Sequence, residues 1–119
     1  MARIRQAEYE RLNSKYLMEA EKLLAKKDYS QASEKLWGAC AEIIKAVAAK
    51  RGLRLGTHRS LGEFIVKLQK EHPEWGLIDA FSIANNLHMN FYEDWMPAEI
   101  VERNAQTVRD FVEKLKGLL

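Results

Sequence analysis

Apolar side chains return every three or four residues along almost the whole chain, and strand-type alternation is absent. Tyr9, Leu12, Tyr16, Ala20 and Leu23 form one stripe and predict a first helix from about Ile4 to Lys26. Asp28 suits an N-cap, with Gln31 three residues on to close a capping box. The second helix, about Tyr29 to Arg51, carries two adjoining apolar rows. Ala32, Leu36, Cys40, Ile43 and Val47 make one, and Trp37, Ala41, Ile44 and Ala48 the other. Two rows give a wide buried face, so this helix is expected at the centre. Its Gly38-Ala39-Cys40-Ala41 segment is small enough for another backbone to approach closely, and Gly52 supplies the stop.

A third helix is predicted from Thr57 or Ser60, with Ser60 to Glu63 as a capping box, ending near Glu71 because Pro73 disfavours helical geometry before it. The fourth begins around Pro73 or Glu74 and carries Leu77, Ile78, Phe81, Ala84, Leu87 and Phe91. Pro97 opens the fifth, striped by Ile100, Val101, Val108, Phe111, Val112, Leu115 and Leu118. Short links between such helices imply sequential antiparallel packing: an all-α, up-and-down bundle of about five helices, one domain over residues 1–119.

Composition narrows the function. With 47% hydrophobic and 30% charged residues the chain has a globular balance. A net charge of +2 is too small for an obligate duplex-DNA binder, which needs a strongly basic face to release counterions. No apolar run reaches the roughly 20 residues of a membrane span, and the charged N-terminus lacks a signal core. The single cysteine, Cys40, excludes an internal disulfide and fits a reducing compartment, so a cytoplasmic location is expected. Abundant Lys and Glu hint at a thermophile.

No phosphate-binding glycine loop, His-Glu-x-x-His pair or dense acidic cluster is present, and no cofactor or metal is expected. The stretch Ala84 to Asp94 is different. On one helix it sets Asn85, His88 and Tyr92 along the edge of the apolar stripe of Ala84, Leu87 and Phe91. They either bond within the core edge or line a small pocket, where an imidazole can move protons or face a phosphate. A second group, Arg51, Arg54, His58 and Arg59, surrounds the start of the third helix: either a solvated basic loop or an anion site.

Two resemblances enter here. Asp28-Tyr29-Ser30-Gln31-Ala32 with the Trp37-to-Lys45 helix, Thr57-His58-Arg59-Ser60-Leu61, and Asn86-Leu87-His88 through Tyr92 resemble HEPN domains in their order. Glu34-Lys35-Leu36-Trp37-Gly38-Ala39, Leu87-His88-Met89-Asn90-Phe91-Tyr92-Glu93 and the Val-rich last helix are similar to the archaeal PaREP branch of small helical proteins. Together they span about Ala20 to Leu115. The resemblance implies a homodimer with a groove at the subunit interface, linked to nucleotide or RNA binding and often to a nucleotidyltransferase-type partner. Ribonuclease members carry Arg, four to six residues, then His. Here Phe81, Ser82 and Ile83 occupy the Arg positions before His88, and Arg51 matches His58 only by count, across a glycine loop.

The expectation is therefore a non-catalytic HEPN-like protein that holds a ligand, with Asn85, Asn86, His88, Tyr92, Arg54, His58 and Arg59 as ligand-binding candidates. The enzymatic alternative is a metal-independent ribonuclease using His88 as acid or base, an Asn as orienting amide and a remote Arg. A third possibility is an interaction module presenting Trp75, Trp95 and Met96.

Overall fold

The computed structural model describes residues 1–119 as five helices without a strand: α1 (Ala2–Ala25), α2 (Tyr29–Lys50), α3 (His58–Glu71), α4 (Leu77–Glu93) and α5 (Ala98–Lys116). Its radius of gyration, 13.6 Å, is that of a close-packed chain of this length, about 13.5 Å. No helix is long and apolar enough to cross a membrane.

Thirteen residues of α2 are buried, on both predicted rows. The helix packs against all four others, so packing is not strictly sequential: α4 and α5 lie on α2, and α3 rests more on α4. α1 lies along α2 and buries only Asn13 and Ala20 fully. The small-residue segment of α2 explains this close approach. A Cβ on Gly38 would stand 3.0 Å from the Tyr16 ring, and Asn13 donates its amide to the Ala39 carbonyl at 2.7 Å. Arg109 ties α5 back to α1 through two 2.7 Å bonds to Glu21, and Arg51 ties the end of α2 to the end of α3 through Glu71.

The helix ends follow local chemistry. Asp28 accepts from the Gln31 amide, but the reciprocal Gln31 bond is not made, so this is half of the expected box. At α3 the box forms between Thr57 and Ser60, one turn before the Ser60–Glu63 pair that the sequence suggests. α4 begins at Leu77, later than Pro73 or Glu74, because Gly76 takes a left-handed conformation (φ 64°) that breaks the chain direction first. Pro97 is the cap of α5 and Ala98 its first residue. Gly52 closes α2 as predicted: its amide bonds Ala49 O and that of Leu53 bonds Ala48 O, a complete Schellman motif.

The same motif closes α1 with Lys27 in the glycine position, at φ 63°. A side chain there costs about 1–2 kcal/mol, partly offset by the chain entropy that glycine would add on unfolding. Lys27→Gly is therefore expected to raise stability by roughly 0.5–1 kcal/mol, readable as a higher urea midpoint with an unchanged slope.

Glu42 gives a second test. Its side chain is 12% exposed and one carboxylate oxygen has no partner. Burial pushes its carboxyl above the ordinary value of 4.5, against the opposing pull of Lys45. A raised carboxyl favours the folded state only while protonated, and that benefit disappears as pH rises through its folded value. Glu42→Gln should then be the more stable protein at neutral pH, by about 1 kcal/mol. The gap should shrink as pH falls toward 4.5. Arg-paired Glu21 and Glu71, held low by their guanidinium bonds, lose their contribution in acid in both proteins and cancel from the comparison.

Candidate functional site

The side chains with free chemistry converge where α2, the start of α3 and the middle of α4 meet. Trp37 is on α2, His58 is the first residue of α3, and His88 is on α4. Their rings form a triangle. Trp37 and His58 stack nearly parallel (5°) with centroids 4.9 Å apart, and His88 lies 5.3 Å from each. Tyr92, one turn beyond His88, meets that ring edge-on at 5.5 Å, and Phe81 closes the inner side of Trp37 at 6.0 Å.

Glu34 fixes the orientation of His88. Its Oε1 lies 2.7 Å from His88 Nδ1, both side chains being about a quarter to a third exposed (31% and 25%). A ring whose Nδ1–H donates to a carboxylate presents Nε2 as an acceptor when neutral and as a second donor when protonated. Glu34 stands one turn before Trp37 on α2, so one helix supplies both the carboxylate and the indole. Shallow clefts of about 230 Å³ flank Trp37 on two sides. Tyr16, Glu34, Lys35 and Gly38 line one; Lys45, Leu55, Thr57 and His58 help line the other.

The predicted candidates divide between this cluster and elsewhere. His58, His88 and Tyr92 are in it. Asn85 is half-buried and spends an N–H on the Phe81 carbonyl of its own helix. Asn86 is exposed. The basic group does not assemble: Arg51 pairs with Glu71, Arg59 reaches out to Glu63 on its own helix, and Arg54 is exposed. No arginine bonds either histidine of the cluster. No three His, Cys, Asp or Glu residues come together in a metal-holding group. Burial drives the Cys40 thiol well above its ordinary value, leaving it a small core residue.

Two residues escape the sequence patterns. Glu34 reads as a helix-surface charge, because its partner lies 54 positions away. Trp37 reads as core, which it is, yet its ring is also the floor of the cluster. The polar residue that is buried in the His88 stretch is Asn90. Its Oδ1 accepts from the Trp95 and Met96 amides at 2.9 and 2.8 Å, and its Nδ2 donates to Ser33 Oγ at 3.0 Å. This amide closes α4 and directs the chain into α5. Of the three residues suggested as an exposed patch, Trp95 is exposed, Met96 is buried beside Asn104, and Trp75 is half-buried against the His72 ring at 4.0 Å.

This sequence matches the archaeal PaREP1/PaREP8 family over residues 8–112. The chain belongs to that family. The fold is also similar to the crystal structure of a protein from Sulfolobus solfataricus, at 25% identity and a TM-score of 0.80, covering 90% of this chain and 95% of that one. Among curated proteins no relative matches significantly. The PaREP-like segments around Glu34 and His88 therefore meet in one three-dimensional cluster in a member of this family.

Asn90 and His88 can be separated experimentally. Asn90→Ala strands two amides near the α4–α5 turn, each costing about 1–3 kcal/mol when buried unpaired. The variant should lose roughly 3 kcal/mol in chemical denaturation, whereas His88→Ala, at a partly exposed position, should lose about 1 kcal/mol or less.

Proposed function

We propose that this PaREP1/PaREP8 protein is a HEPN-like, non-catalytic binding protein that holds a nucleotide or a short single-stranded RNA at the Trp37–His58–His88–Tyr92 cluster. The carrying observation is a ring cluster backed by a carboxylate, in which Trp37 and His58 stack, His88 is tilted against Trp37 and Tyr92 meets His88 edge-on. Planar bases stack on aromatic and imidazole rings with about 1–3 kcal/mol per base, and Glu34 offers an acceptor to base N–H groups. Lys35 and Lys45 line the flanking clefts, paired with Glu19 and Glu42, and would offer their remaining N–H groups to a phosphate. The lack of an arginine at the cluster argues against turnover, because nothing there stabilises charge developing on a scissile phosphate. Its likeness to HEPN domains supports a homodimer acting in the cytoplasm, with a nucleotidyltransferase-type protein as the class of partner.

One observation favours a second reading, metal-independent ribonuclease activity. Two imidazoles stand 5.3 Å apart and one is held by a carboxylate, a geometry suited to paired acid and base.

Fluorescence-anisotropy titration with labelled nucleotides and short RNAs, run with chelator, tests both. Binding is expected to weaken about tenfold or more in His58→Ala, which removes an exposed ring from the stack, while the RNA stays intact. Cleavage lost in both His58→Ala and His88→Ala would establish the enzyme instead. No binding at millimolar ligand would end the proposal.

A further inference from the structure

Glu34 and Lys35 are consecutive on α2, and both line the cleft of about 230 Å³ that Tyr16 and Gly38 share beside Trp37. Gly38 lets the Tyr16 ring settle against α2 as one wall, since a Cβ there would stand 3.0 Å from it. Lys35 Nζ lies 5.1 Å from the centre of that ring. The two charges are engaged by different helices rather than by each other. Glu34 Oε1 meets His88 Nδ1 of α4 at 2.7 Å, and its Oε2 bonds nothing in the chain. Lys35 Nζ stands 3.2 Å from Glu19 Oε1 of α1, which leaves N–H groups of the ammonium unused. Both side chains are only about a third exposed (31% and 35%). A carboxylate and an ammonium, each steadied from outside α2, thus face one cleft at the edge of the ring cluster.

The hydrogen-bonding edges of the bases respond to such a pair differently. Guanine alone among the RNA bases places two N–H groups, N1–H and N2–H, side by side on its Watson–Crick edge. A carboxylate accepts both in a charge-assisted, two-bond contact. Oε1 keeps a second lone pair for this after serving His88. Every other base sets a lone pair against the carboxylate: N1 next to the adenine amine, N3 next to the cytosine amine, and the two carbonyls flanking the uracil N3–H. The guanine O6, next to N1–H, needs a donor, and a lysine N–H is one.

We propose that the cleft of Tyr16, Glu34, Lys35 and Gly38 reads the base as guanine, Glu34 accepting from N1–H and N2–H and Lys35 donating to O6. This rests on the nucleotide-binding reading given above and names the base. His88 then acts as a positioning residue, holding the Glu34 carboxylate in place before the ligand arrives. Phosphate recognition falls to Lys45, in the cleft on the other side of Trp37.

Calorimetric titration of wild type with guanosine, inosine, adenosine, cytidine and uridine monophosphates is the test. Glu34→Gln and Lys35→Met are titrated beside it, with circular dichroism to show equal folding. The guanosine nucleotide is expected to bind at least about tenfold more tightly than the adenosine, cytidine and uridine ones. The inosine nucleotide keeps N1–H and O6 but lacks the N2 amine, and should bind about tenfold more weakly than its guanosine counterpart. Glu34→Gln should level the panel, and Lys35→Met should weaken guanosine binding more than adenosine binding. Equal affinities in wild type, inosine equal to guanosine, or a guanosine preference that survives Glu34→Gln each overturn the guanine assignment while nucleotide binding stands. The guanosine–inosine comparison needs only wild type, so it decides even where a variant fails to fold. No binding of any of the five at millimolar concentration overturns the guanine cleft, and the short-RNA titration above then decides the ligand reading by itself.

Discussion

Burial of α2 along most of its circumference is the constraint on which the other elements depend. A helix with two adjoining apolar rows cannot hide both against one neighbour, so α1, α4 and α5 must surround it and α3 must close the remaining gap. The small residues at its middle decide how near α1 comes. Gly38 admits the Tyr16 ring, and the Ala39 carbonyl receives the Asn13 amide. α1 can therefore be largely polar and still dock, because its partner surface supplies the apolar area and the close approach.

The ring cluster follows from the same arrangement. α2 is enclosed along most of its length, and Glu34 is among the positions that still reach the surface. α3 cannot start until Leu55–Thr57 has passed the end of α2, and its capping box then fixes His58 at the first helical position, over the indole. α4 brings His88 from the other side. Each ring is thus held by an element whose position is set by packing, and Trp37 stays a buried member of the core.

The fold was legible because it rests on local periodicity and on caps such as Asp28 and Gly52, which need no distant partner. Packing order was less so, since the width of α2's face says how many helices it must touch but not which. The site was legible in part. His88 and Tyr92 lie at the edge of a stripe, where periodicity can find them. Glu34 carries the same local signal as any exposed glutamate, and nothing within α2 announces that an imidazole 54 residues away will accept it as partner. Arg51 shows the reverse failure: near His58 in the chain, it turns instead to Glu71 across the bundle. The start of α4 moved to Leu77 because Gly76 is left-handed, and φ is a property that hydrophobic patterning does not encode.

Within α4 the polar residues divide by angle around the helix rather than by chemical type. Asn90 faces inward and is bonded through both amide atoms, to Ser33 and to the two amides that begin the link to α5. Asn85 faces outward with most of its bonding capacity unused. His88 lies between them, held on one nitrogen and open on the other. Were Asn90 free to move, the turn after Glu93 would have no anchor and Tyr92 would lose its fixed place beside His88. The inward amide therefore anchors the outward residues that precede the turn. On this helix the same residue type thus serves two structural ends, five positions apart: Asn90 anchors the turn and Asn85 bonds back to its own helix.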